Sequence, residues 1–306
     1  MKLCWIGTSY MSMGEAKDSR DTELDFVNYI AKRHPTHEHL NLSIPAIGFN
    51  YVPFRIEYAL EQGYTHFIIE LPDGLRQNFI SSVSKNEPHR KYLRIHEYKN
   101  GERVFEREHK KQFHVDNFLA GCDNETLKRM FVETDFPFMH DNNFWDMIRK
   151  FSLMLDEKFK RCEWIHNAYN IQTRLENEGV KVKWYEWSMT STSKKGTTQT
   201  GKHGNQLFVQ CCTGADTCYK KLNMMSNPWP LTLKWAVQDG YLTQQQIDAT
   251  ISESSKETDP AEVSFAEGYS RWQKENYFDG SHLNDEALRK YSSSFDQVIW
   301  DWENGK

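Results

Sequence analysis

The first quarter of the chain carries a rhythm that few folds accommodate. Leu3-Cys-Trp-Ile6, His39 to Ile44 and His66-Phe-Ile-Ile-Glu-Leu71 are short, nearly continuous apolar runs. Runs of this length suit strands buried on both faces, as in parallel sheets. Between the first two, Leu24, Val27 and Ile30-Ala31 recur at helical spacing and must stop before Pro35. Between the second and third, Ile56, Ala59 and Leu60 mark a helix that ends at Gly63. This alternation predicts an α/β fold, doubly wound, with a mainly parallel sheet flanked by helices in three layers. In such sheets sites gather at the carboxyl ends of the strands. Ser9, Gly48 and Asp73 all fall at such ends.

The rhythm then breaks and resumes. Tyr92 to Tyr98 and Arg103 to Arg107 flank Lys99-Asn100-Gly101-Glu102, and Asn-Gly suits the type I′ turn of a hairpin. Residues 80–140 therefore read as an insertion carrying a hairpin arm, whose interleaved basic and acidic residues give a charge-protected edge. From Asn142 to Glu178, Phe144, Ile148, Phe151, Leu155, Phe159, Cys162, Ile165 and Tyr169 keep helical spacing, as one long helix or two in series capped by Asp141. Val180 to Trp187 is the expected fourth strand. Ser188 to Asn205, rich in Ser, Thr, Lys and Gly, reads as a mobile loop, and Leu207 to Cys211 as a short strand. Trp229, Leu233, Trp235 and Val237 suggest an aromatic subregion, Thr243 to Ile251 a helix, and a final helix starts near Asn284. Residues 188–275 thus form a second insertion on a single domain spanning 1–306.

Composition narrows the function. A 306-residue chain that is 38% hydrophobic can bury a sizeable core, and its formal net charge of −5 argues against a general nucleic-acid binder. The first apolar run starts too early for a signal peptide, and no run approaches the roughly 20 residues of a membrane span, so a cytoplasmic location is expected. Six thinly spread cysteines favour reduced thiols. His34, His37 and His39 straddle Pro35 without a companion carboxylate pattern, and Cys211, Cys212 and Cys218 lack a paired C-x-x-C. Neither group predicts a metal, and no cofactor is expected.

The chemistry gathers at the two ends. Asp279-Gly-Ser-His282, just before the last helix, sets a carboxylate three residues ahead of an imidazole, the orienting half of a Ser-His-Asp relay. Gly7-Thr8-Ser9 offers a nucleophile one step past the first strand. In joint position these motifs resemble the SGNH (GDSL-type) hydrolase family, which carries its nucleophile after the first strand and an Asp-x-x-His near the C-terminus. The chain looks similar to signal-less, phage-type members, and a virion-associated setting would fit a viral source. The resemblance implies Ser9 as nucleophile, His282 as general base and Asp279 as its orienting partner. It further implies oxyanion donors at the Ser9 and Gly48 backbone N–H groups. Glu70-Leu-Pro-Asp73 stands where the family has Gly-x-Asn-Asp, which leaves Asn50 or Asn78 to replace the missing Asn. The function so implied is cleavage of a small-molecule or glycan ester, such as a carbohydrate O-acetyl group, through an acyl-enzyme. The alternatives are a catalytically degenerate SGNH-like binding or structural protein and, from the basic hairpin, an enzyme of anionic or nucleic-acid ligands.

Overall fold

A computed structural model describes residues 1–8, 11, 25–43, 48–71, 77–79, 95–107, 113–115, 123, 142–154, 157–187, 191–194, 197–200, 215–225, 230–251, 260–277 and 282–306. The strands among these residues are β1 (Lys2–Ile6), β2 (Glu38–Asn41), β3 (His66–Glu70), β4 (Gln77–Phe79), β5 (Ile95–Lys99), β6 (Glu102–Arg107), β7 (Phe113–Val115), β8 (Lys181–Tyr185), β9 (Ser191–Lys194) and β10 (Thr197–Thr200). Six of them form a mixed sheet in the order β6-β5-β2-β1-β3-β8. β2, β1, β3 and β8 run parallel, with Cys4 opposite both Leu40 and Phe67. β5 and β6 join the β2 edge antiparallel. β1 is therefore central, as its two-sided apolar run predicts.

Helices cover both faces. Leu3, Trp5 and Ile68 pack on one side with α1 (Phe26–Arg33), α6 (Leu231–Gln238), α8 (Pro260–Asn276), α9 (Asp285–Ser292) and α10 (Asp296–Glu303). Cys4, Ile6, Phe67 and Ile69 pack on the other with α2 (Val52–Glu61), α4 (Glu157–Asn177) and α5 (Ala215–Lys221). α3 (Asn142–Met154) precedes α4, and α7 (Gln244–Ile251) precedes α8. The chain leaves β1 over one face through α1 and leaves β2 over the other through α2, so the crossovers diverge on either side of β1. Divergence of this kind opens a crevice at the carboxyl edge of a parallel sheet.

Several expectations are refined. β2 ends at Asn41, not Ile44. The hairpin of residues 95–107 belongs to the main sheet as its outer edge, and its turn has Asn100 at φ 54° and Gly101 at φ 76°, as a type I′ turn requires. The helical segment 142–178 is two helices in series, and the cap at Asp141 lies outside the described residues. Within the expected loop 188–205, β9 and β10 pair antiparallel. The C-terminal half is not peripheral: Leu231, Leu233, Trp235, Phe265 and Trp272 share a core with Trp5. A further helix, α10, follows the one that starts at Asp285. Cys162 is disulfide-bonded, against the expectation of reduced thiols. Cys4 and Cys218 are free, whereas the strand expected at Leu207 to Cys211 and the thiols Cys211 and Cys212 lie outside the described residues. No helix among the described residues is long and apolar enough to cross a membrane.

Candidate functional site at the carboxyl edge of the sheet

Beyond β1 the chain runs into Gly7-Thr8, and a buried acid from the neighbouring strand holds it there. Thr8 N–H donates to Glu70 Oε2 at 2.6 Å, and the Thr8 hydroxyl donates to Oε1 at 3.0 Å. The Tyr185 hydroxyl donates to the same carboxylate at 3.5 Å from the tip of β8. Burial, with Glu70 beside it, raises the Tyr185 pKa and keeps its proton in place. Gly7 is required by packing. A Cβ there would lie 2.6 Å from the Tyr185 hydroxyl oxygen and 2.8 Å from Glu70 Oε2, well inside contact distance. The Glu70 side chain thus fixes the strand-tip turn. Met11 N–H then donates to the Thr8 carbonyl at 3.2 Å.

A second polar cluster lies at the carboxyl end of β2. Asp25, wholly buried, caps α1 by accepting from Asn28 N–H at 2.8 Å. Its Oδ2 also accepts from the Tyr98 hydroxyl at 2.6 Å, from His96 Nδ1 at 2.7 Å and from Asn41 Nδ2 at 3.2 Å. Burial pushes the Asp25 pKa up. The hydrogen bond and charge of His96, with donation from Tyr98 and Asn28, outweigh it and hold the carboxyl below its usual value of 3.8. An ionised carboxylate only accepts, so His96 Nδ1 carries a proton and donates it to Asp25. Asn41 Nδ2 donates in turn to the Met11 carbonyl at 3.1 Å, tying this oriented imidazole to the turn that follows β1.

The residues expected from sequence divide between described and undescribed segments. Ser9 and Asp279 lie outside the described residues. His282 is half-buried beside the Tyr277–Leu283 bridge, where Asn284 N–H donates to the Asn276 carbonyl at 2.8 Å. Asn284 caps α9, accepting from Ala287 N–H at 2.9 Å, so a helix follows His282 as expected. Beside that first turn lies a polar cleft of about 340 Å³ lined by Asp239, Glu275, Asn284 and Lys290 among others. Gly48 has extended backbone and leads into a 3-10 turn over Phe49–Tyr51, where Asn50 is exposed. Asn78 sits in β4, which pairs with β7 in a separate ribbon. Arg55, in the first turns of α2, is wholly buried, and its guanidinium has no hydrogen-bond partner among the described residues. Burial pushes its pKa down to about 9.

Sequence reasoning did not find Asp25 or His96, and it met Glu70 only within Glu70-Leu-Pro-Asp73, without the role its side chain has at Thr8. Asp25 carried one readable signal, an Asp just ahead of a helical run. No family model, curated protein or solved structure matches this chain, so the site rests on its own geometry.

Proposed function

We propose that the chain is a serine hydrolase of ester bonds, with Ser9 as its nucleophile at the tip of β1. The reading rests on one observation: Glu70 grips both the N–H and the hydroxyl of Thr8 and fixes the turn next to position 9 where the crossovers diverge. In this scheme Ser9 Oγ attacks the ester carbonyl while His282, oriented by Asp279, takes the proton. Backbone N–H groups of Ser9 and Gly48 receive the developing oxyanion, at about 3 kcal/mol per donor. The protonated alcohol leaves, and water activated by the same imidazole releases the acid. An O-acetylated glycan is a substrate class that fits this scheme.

The Asp25–His96 pair favours a second assignment of the base within the same reaction. It is an Asp–His dyad at the same edge, hydrogen-bonded through Asn41 to Met11. A fluorophosphonate probe read by intact mass and peptide mapping tests both. One adduct on Ser9, lost in Ser9→Ala, is expected. Loss of labelling in folded His282→Ala assigns the base to His282, and loss in folded His96→Gln assigns it to His96. A folded wild-type chain that takes no adduct on Ser9 overturns the hydrolase and leaves a binding or structural protein on the same scaffold.

A further inference from the structure

At the opposite, amino edge of the sheet, α1 turns into β2 through His34-Pro-Thr-His37. His37 N–H donates to the His34 carbonyl at 3.1 Å, and this tight turn stacks the two imidazoles with centroids 6.1 Å apart and planes 8° from parallel. α10 brings two carboxylates against them from the far end of the chain. His34 Nε2 meets Asp296 Oδ1 at 2.9 Å, and His37 Nε2 meets Glu303 Oε1 at 2.8 Å. Asp296 and Glu303 are seven residues apart, two turns along one helix face. One donor atom each from His34, His37 and Glu303 lies within 4.8 Å of the other two.

We propose that His34, His37 and Glu303 bind a first-row divalent cation of the Zn²⁺ class and so fasten α10 to the α1–β2 turn. Two imidazoles and a carboxylate are a donor set that such ions take at about 2.0–2.2 Å, with the remaining position open to water. Small side-chain rotations bring donors within 4.8 Å of one another onto one ion. Both imidazoles are buried and Glu303 sits at the rim, so the site has a fixed floor and a path to solvent.

The surroundings complete the arrangement. Arg33 engages Asp296 through Nε at 2.9 Å and Nη2 at 3.0 Å, so that carboxylate is charge-balanced and can orient the His34 ring as an outer hydrogen-bond partner. The Met1 amine lies 3.1 Å from His37 Nδ1. That contact occupies Nδ1 and leaves Nε2, the nitrogen that faces Glu303, as the ligand atom. His39 belongs to the core instead. It accepts from Trp5 Nε1 at 3.2 Å, and burial pushes its pKa down to about 3.

The test uses the full chain, stripped with chelator and dialysed. Co²⁺ is added and followed by its visible absorption, and Zn²⁺ by calorimetry and by the thermal midpoint. We expect one ion per chain and a midpoint that rises with Zn²⁺. Even outer partners of metal ligands are worth about 10- to 100-fold in affinity, so Glu303→Gln should weaken binding at least about tenfold and remove the Zn²⁺-dependent rise. His37→Gln should do the same. Should His37→Gln fail to fold, Glu303→Gln at the rim carries the test alone. Absence of a stoichiometric ion, or equal binding by wild type and Glu303→Gln, overturns the site and leaves two ion pairs in its place.

Discussion

Asp25→Asn is the sharpest probe of the carboxyl-edge cluster. The amide preserves shape, and its oxygen can still cap α1 at Asn28 N–H, since Asn is as good an N-cap as Asp. The other half of the group changes from acceptor to donor and then faces His96 Nδ1, the Tyr98 hydroxyl and Asn41 Nδ2. Tyr98 can reverse its hydroxyl and accept. Asn41 cannot turn over cheaply, because its Oδ1 already takes Ser43 N–H at 3.0 Å and its Nδ2 serves the Met11 carbonyl. Hydrogen bonds to a charged group are worth about 1.5–3 kcal/mol each, so losing two with partial rescue of the third should destabilise the fold by about 3–5 kcal/mol at neutral pH. The loss should depend on pH in one direction. The folded-state pKa of Asp25 is depressed, so its contribution is present above the unfolded value of 3.8 and disappears as pH falls through the folded value. Urea unfolding followed by tryptophan fluorescence measures the difference between wild type and variant, a subtraction that removes the other titrating groups. A deficit below about 1 kcal/mol at neutral pH, or one that does not shrink in acid, would refute the hub.

Two further outcomes follow from the same edge. Gly7→Ala should cost about 1–3 kcal/mol by overpacking, and Tyr185→Phe, which removes the closest obstructing atom, should restore part of that loss in a double-mutant cycle; strictly additive effects would contradict the contact. Arg55→Met keeps much of the volume of a buried guanidinium without a hydrogen-bond partner among the described residues and should stabilise the fold by about 1–4 kcal/mol in denaturant melts, whereas a loss of similar size would mean that the charge is matched.

What could be read from sequence follows the range of the interactions. β1, β3, β8 and the Asn100-Gly101 hairpin are written in a few consecutive residues each, and the structure has them where their patterns place them. β2 stops short of Ile44 where Asn41 turns its side chain to Asp25, the Met11 carbonyl and Ser43 N–H. α10 was missed although Val298, Ile299 and Trp302 keep helical spacing, because they follow α9 with only a short 3-10 turn between. The clusters are harder still. The partners of Asp25 come from positions 41, 96 and 98, brought together by strand pairing, and the carboxylates facing His34 and His37 come from the last helix. The expected absence of a companion carboxylate was a statement about neighbours in sequence, whereas ligand sets are made by neighbours in space.

The two faces of the central sheet also differ in when they can be finished during synthesis. The face bearing Cys4, Ile6, Phe67 and Ile69 takes most of its cover from α2 and α4, made in the first 180 residues or so. Among the described helices, the face bearing Leu3, Trp5 and Ile68 has α1 alone until α6 to α10 emerge after residue 230. A nascent chain that has already paired β1, β2, β3 and β8 therefore carries one sealed side and one side on which Trp5, Tyr185 and Trp187 await partners still inside the ribosome. Late closure of this kind leaves apolar surface on a single face of the partly made protein until the last quarter of the chain is in place.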